Sequence, residues 1–321
     1  MLLWLGGCAT PHVHPAGQSN MSPVLYDGYA LMDDGYRLPL ARWGARDPCK
    51  AVILALHGLN DYRNAFATTA EYLNRHGITV YAYDQRGFGG TDGFGYWHGS
   101  ERLTSDLRIM AALLRSRHPD CPLYVLGESM GGAVALSALR SEESLDIDGL
   151  ILVAPAVWSR ETMPLYQRMA LWLAAHTMPA KRLTGEGLDI RPSDNIEMLR
   201  GLGRDPLVIK ATRVDVLYGV SNLMDTAAAG LPPMDDRVLL LYGMRDDIIP
   251  KQPTCRLLRQ LPDRSDLNWQ VIVYEDGYHM LTRDLQAKRV LQDMADWLTV
   301  VGGEAEDPDR VITRYCADGA L

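Results

Sequence analysis

Gly127-Glu128-Ser129-Met130-Gly131 sets one hydroxyl between two glycines, directly after the apolar run "LYVL". A serine hydroxyl attacks a carbonyl carbon well only when a neighbouring base takes its proton. Of the eight histidines, only His279 lies near the end of the chain, in the loop "YEDGYH" that follows the last apolar run. Between serine and histidine, "LLLYGMRDDIIP" offers Asp246 and Asp247 side by side. Residue types alone leave both open as the acid that would orient an imidazole. The tetrahedral oxyanion needs two N–H donors. Met130 follows the serine, and Leu59 sits in "ALHGLND" after an earlier apolar run, where His57 reads as structural and not as a second base.

These groups can meet only if a scaffold carries each to the same edge. Apolar runs at 51–56, 78–84, 123–127, 149–155, 237–243 and 269–279 alternate with helical patterns at 63–76, 100–118, 130–140, 251–261 and 283–301. Unbroken apolar strands alternating with helices predict a parallel sheet covered on both faces. Two further strands, 26–31 and 36–42, are joined by the turn signal Asp33-Asp34-Gly35. Ser129 then falls between strand and helix, the context a G-x-S-x-G nucleophile elbow requires, in the chain order Ser, Asp, His. The alternation lapses over 156–235, so the expected organisation is a core of 25–155 and 236–302 with a helical insertion at 156–235. Residues 303–321 read as a polar, peripheral tail.

Composition narrows the partners. The 321 residues carry a net charge of −8 and no basic stripe, which argues against nucleic acid. No run of about 20 apolar residues is present to span a bilayer. "MLLWLGGC" resembles the lipobox of bacterial lipoproteins, making Cys8 a lipidation candidate and 1–24 a signal remnant and polar tether. On that reading the protein is anchored to a bacterial membrane on the periplasmic side; without it, the location is the cytoplasm. Cys49 and Cys121 each stand two residues before a strand. If those strands are parallel neighbours, the sulfurs share one sheet end within bonding reach. Free thiols are the alternative, and Cys255 with Cys316 is a second candidate pair. No metal or cofactor is expected, since His12 and His14 alone make a poor ligand set.

"LHGLND" (56–61), "YDQRGFGGTDG" (83–93), "GESMGGAVAL" (127–136), "LILVAP" (150–155), "GRDPLVIK" (203–210), "LLLYGMRDDIIP" and "DGYHML" occur in this order. In them the chain resembles the α/β-hydrolase fold, and within it the monoacylglycerol lipase and lysophospholipase group, often labelled serine aminopeptidase-like. The resemblance implies a mostly parallel eight-stranded sheet flanked by helices, with the insertion as a helical cap forming an apolar acyl channel. It also implies Asp246, three residues after Gly243, as the acid. Glu128 stands where animal members usually carry histidine, though plant-like members share glutamate, and Phe88 replaces the histidine common in the Arg-Gly-His-Gly stretch.

The reaction implied is hydrolysis of a single-chain lipid ester, a monoacylglycerol or lysophospholipid, with Leu165, Met169 and Trp172 as candidate acyl contacts and a lipid anchor or the cap meeting a membrane surface. A rival is an aminopeptidase-like or short-chain esterase activity; a peptidase would need an acidic subsite such as Glu128, Asp194 or Glu197. A non-catalytic binding protein of the same fold is the other rival, though such chains ordinarily lose one of the three reacting groups.

Overall fold

The computed structural model describes residues 9–44, 49–140, 143–229, 237–260, 269–299 and 308–316. The expected strand at 26–31 is two strands. Asp27-Gly28 turns the chain back, so β1 (Val24–Tyr26) and β2 (Tyr29–Leu31) pair antiparallel with Tyr26 opposite Tyr29. β3 (Arg37–Trp43) extends this edge. The alternating units follow as expected: β4 (Ala51–Leu56), α1 (Ala67–Asn74), β5 (Ile78–Tyr83), α2 (Ser100–Arg117), β6 (Leu123–Glu128), α3 (Met130–Leu139) and β7 (Gly149–Val153).

The insertion holds α4 (Leu165–Thr177), β8 (Arg182–Leu183), α5 (Ile196–Arg204), β9 (Thr212–Arg213) and α6 (Val214–Ala228). β10 (Arg237–Gly243), α7 (Lys251–Arg259), β11 (Trp269–Tyr274), α8 (Ala287–Thr299) and α9 (Pro308–Tyr315) complete the chain.

The main sheet runs β1-β2-β3-β5-β4-β6-β7-β10-β11. It has nine strands among the described residues, one more than expected, because of the split at Asp27-Gly28. From β5 to β11 every pairing is parallel, and β3 joins β5 antiparallel. All six residues of β4 are buried, and they alternate between two cores. Val52, Leu54 and Leu56 pack with Leu103, Leu107 and Val134 of α2 and α3, whereas Ala51, Ile53 and Ala55 pack with Leu73 of α1 and Met294 and Trp297 of α8. The period of two along a strand thus fills both helical layers, which is why the run carries no polar residue.

Within the expected insertion, α4 and α5 bury only Ala175, whereas α6 sends Val216, Val220, Leu223 and Ala227 into the core beside α3. In the tail, the described residues 308–316 also make core contacts. Val311 of α9 joins the core, and Cys316 is bonded to Cys255 of α7. A second disulfide links Cys49 and Cys121, whose Cα atoms are 6.2 Å apart, just ahead of the paired strands β4 and β6.

The stretch expected as a tether is laid along the surface from residue 9 onward. Ala9 N–H donates to His176 at the end of α4, His14 to Trp97, and Met21 to Asp33. Cys8 lies outside the described residues.

Candidate active site

Ser129 follows the last residue of β6 and precedes the first of α3. Its backbone has φ 53° and ψ −114°, a conformation L side chains adopt rarely. The surroundings hold it there: its N–H donates to Val153 O at 2.9 Å, and its carbonyl accepts from Ala133 and Ala156 at 3.1 and 2.9 Å. The flanking glycines follow from the tightness of this turn. A Cβ on Gly131 would stand 2.1 Å from Leu56 O, and one on Gly127 would stand 2.6 Å from Gly132 N. Met130 opens α3, so its N–H has no acceptor within the helix and is available to an oxyanion. Leu59 lies half-buried in the turn after β4.

His57, in the same turn, is fully buried and engaged at both ring nitrogens. Gln85 N–H donates to Nε2 at 3.0 Å, which leaves Nδ1–H to donate to Gly58 O at 2.8 Å. Burial pushes its pKa down and keeps the ring neutral. It fixes the turn and has no free nitrogen for proton transfer.

His279 Nδ1 donates to Asp246 Oδ2 at 2.8 Å, and both side chains are buried. The other oxygen of Asp246 accepts from the Ile248 and Ile249 amides at 2.8 and 2.9 Å. Asp247 is exposed and accepts from the Arg191 amide instead. The two neighbouring carboxylates therefore separate by geometry: one orients an imidazole, the other holds a loop. With its proton on Nδ1, His279 presents Nε2 as the basic nitrogen.

The loop carrying His279 is tied to the elbow. Arg283 donates to Glu128 Oε1 and to Asp61 Oδ2, each at 2.7 Å, and Thr282 Oγ1 donates to Glu128 Oε2 at 3.5 Å. On the other side, Asp284 accepts from Ser193 Oγ at 2.6 Å and from Tyr278 N–H at 2.8 Å. Burial raises the Asp284 pKa to about 6. Asp61 closes the stretch "LHGLND" without a role being evident from it, and Arg283 lies outside every motif. Only Glu128, in its unusual place beside the serine, pointed to something here.

Leu165, Met169 and Trp172 do not meet these groups. They are 65, 63 and 54% exposed on the outer face of α4, around a groove of about 540 Å³ that also includes Arg160, Arg168 and Tyr218. Ala175 is the one fully buried residue of this helix, and Leu165, Met169, Trp172 and Leu173 are exposed with Ala170 beside them. Glu128 is not an open acidic subsite, being 2% exposed and paired. Asp194 accepts from the Leu285 amide, and Glu197 is exposed in the first turn of α5. Among the described residues no group of three or more His, Cys, Asp or Glu is arranged to hold a metal ion, and no helix is long and apolar enough to cross a membrane.

A doubly covered parallel sheet with a serine elbow after one strand and an Asp–His pair after two others defines an α/β-hydrolase. The family model for serine aminopeptidase, S33, matches residues 47–286, and the chain belongs to that family. It is an enzyme, a serine hydrolase of the lipase group. It is similar to the monoglyceride lipase of Rattus norvegicus, at 24% identity over 281 residues, covering 83% of this chain and 88% of the relative. The monoacylglycerol lipase of Mycolicibacterium smegmatis is 25% identical over 272 residues, with 82 and 93% covered. Among solved structures, a soluble variant of monoglyceride lipase from Saccharomyces cerevisiae, in complex with a substrate analog, has a TM-score of 0.70 at 21% identity, with 89% of this chain and 98% of that one covered. Monoacylglycerol lipase from Paleococcus ferrophilus has a TM-score of 0.67 at 23% identity, with 82 and 98% covered.

Proposed function

We propose that the protein hydrolyses carboxylic esters of single-chain lipids, monoacylglycerols or lysophospholipids, with Ser129 as nucleophile, His279 as base and Asp246 as its orienting acid. The observation that carries this reading is the buried His279–Asp246 hydrogen bond on a loop tied to the residue before Ser129. Ser129 Oγ attacks the ester carbonyl while His279 Nε2 takes its proton. Asp246 holds the Nδ1–H tautomer and stabilises the imidazolium that forms. The amides of Leu59 and Met130 receive the oxyanion. His279 then protonates the leaving alcohol, and water activated by the same ring releases the acid.

The names of the related lipases support the substrate class, as does the outer face of α4. Its apolar residues with Arg160 and Arg168 suit a lipid surface, from which a single-chain ester would be drawn. A peptidase reading gains nothing from the buried, paired Glu128. The two disulfides favour an oxidising compartment, which accords with export and with lipidation at Cys8. Mass measurement of the mature N-terminus tests that point.

The function is tested by a fluorophosphonate probe and a panel of monoacylglycerols, lysophospholipids, short esters and aminoacyl anilides. Wild type is expected to label and to prefer single-chain lipid esters, and Ser129→Ala to do neither. Labelling that persists in Ser129→Ala, or turnover confined to anilides, overturns the proposal.

A further inference from the structure

The three stretches that carry the reacting groups lie far apart in the chain, and one buried cation joins them. Arg283 is four residues beyond His279, Glu128 immediately precedes Ser129, and Asp61 is two residues beyond Leu59. The Arg283 side chain is 8% exposed, that of Glu128 2% and that of Asp61 7%. One terminal nitrogen donates to Asp61 and the other to Glu128, each at 2.7 Å. The Arg283 carbonyl accepts from Asn195 Nδ2 at 2.9 Å, which fixes the loop from the opposite side as well.

Two well-made ion pairs sharing one fork are a costly arrangement in a dry interior, where apolar residues of similar volume would stabilise the fold as well or better. What the fork supplies is direction: a planar guanidinium holds two carboxylates at fixed angles, which an ammonium does not.

We propose that Arg283 is a positioning residue of the hydrolytic site, setting the His279 loop against the serine elbow through Glu128 and against the oxyanion turn through Asp61. This rests on the triad reading above. Glu128, which stands where animal members of the group usually carry histidine, is then the elbow's half of this tie. Arg283 and Glu128 act through the groups they hold in place. Their effect is on the distance and angle between Ser129 Oγ, His279 Nε2 and the Leu59 amide, where a misplacement of about 1 Å costs on the order of 10²-fold in rate.

The full chain is compared as wild type, Glu128→Ala, Glu128→Gln and Arg283→Lys, on p-nitrophenyl butyrate and with a fluorophosphonate, at a temperature where circular dichroism shows each folded. Glu128→Ala leaves Arg283 and Asp61 as a balanced pair while cutting the elbow tie. Its kcat is expected to fall about 10²-fold with KM changed less than about threefold. Glu128→Gln keeps an oxygen to accept from Arg283 and is expected to retain kcat within about fivefold. Arg283→Lys keeps the charge but loses the fork, and its labelling is expected to slow at least about tenfold. That variant carries the test should Glu128→Ala fail to fold. Equal kcat in Glu128→Ala and Glu128→Gln, or undiminished labelling of Arg283→Lys, overturns the positioning role alone. A folded wild type that resists the fluorophosphonate overturns the triad reading, and this role with it.

Discussion

Asp246→Asn isolates the orienting acid, and its outcome follows from where each oxygen of Asp246 is engaged. Oδ1 accepts from two backbone amides, Ile248 and Ile249, and Oδ2 accepts from His279 Nδ1. Asparagine has one oxygen and one NH2 to distribute. Turning the NH2 toward the two amides would leave both donors facing a donor, at about 1–3 kcal/mol for each buried group left unpaired. Turning it toward His279 sacrifices no bond if the imidazole moves its proton to Nε2 and accepts at Nδ1. The second arrangement is favoured by roughly 2–6 kcal/mol on that count. It leaves Nε2 as a donor, unable to take the serine proton. The same change in a serine-protease triad costs about 10⁴ in kcat, or ~5.4 kcal/mol of transition-state stabilisation at about 1.36 kcal/mol per decade.

The assay is steady-state turnover of a soluble ester, with thermal melts alongside, for Asp246→Asn and for Asp247→Asn. The exposed Asp247 is expected to tolerate asparagine within about twofold, the range of an ordinary surface change. Asp246→Asn retaining more than about a tenth of wild-type kcat, or Asp247→Asn losing as much, would falsify the assignment of Asp246 as the orienting acid.

Two further outcomes concern stability. The Cys49–Cys121 bond closes a loop with a sequence separation of 72, so the double serine variant is expected to lose about 2–4 kcal/mol in urea unfolding while turning over ester normally at 25 °C; an unchanged midpoint would mean that the bond contributes nothing. Burial raises the Asp284 pKa from its ordinary 3.8 to about 6. An acid with a raised native pKa destabilises the fold as pH rises from about 4 to 6, because the unfolded chain gives up the proton first. Asp284→Asn is therefore expected to gain stability relative to wild type between pH 4.5 and 7.5, by urea midpoints. A constant difference across that range contradicts the shift.

Much of the scaffold was legible because it repeats a simple rule. A strand buried on both faces has no polar residue to spare, so "AVILAL", "ITVYAY" and "RVLLLYG" announced themselves. The first hairpin did not, since "YDGYAL" is short enough to read as a single strand, and only pairing of Tyr26 with Tyr29 reveals the turn. α9 escaped for a different reason. Among its described side chains only Val311 is buried, and Cys316, just past its end, bonds a cysteine 61 positions away. On the site side, Ser129 and His279 could be read from local motifs, whereas choosing Asp246 over Asp247 needed a family resemblance or coordinates. Asp61 and Arg283 are 222 residues apart and Glu128 and Arg283 155, and no spacing rule reaches that far. The α4 apolar residues show the limit of periodicity: a stripe marks a face, but not which way the face turns.

The placement of the Cys49–Cys121 bond has a mechanical consequence. β4 and β6 are adjacent rails, riveted at the edge where they begin and loaded with the proposed oxyanion turn and the proposed nucleophile at the edge where they finish. Sliding of one rail along the other would change the gap between the Leu59 amide and Ser129, and the rivet opposes that slide from the far side of the molecule without stiffening the loops that admit and release the reactants. Breaking the bond should therefore broaden the distribution of that gap on warming well before the chain unfolds.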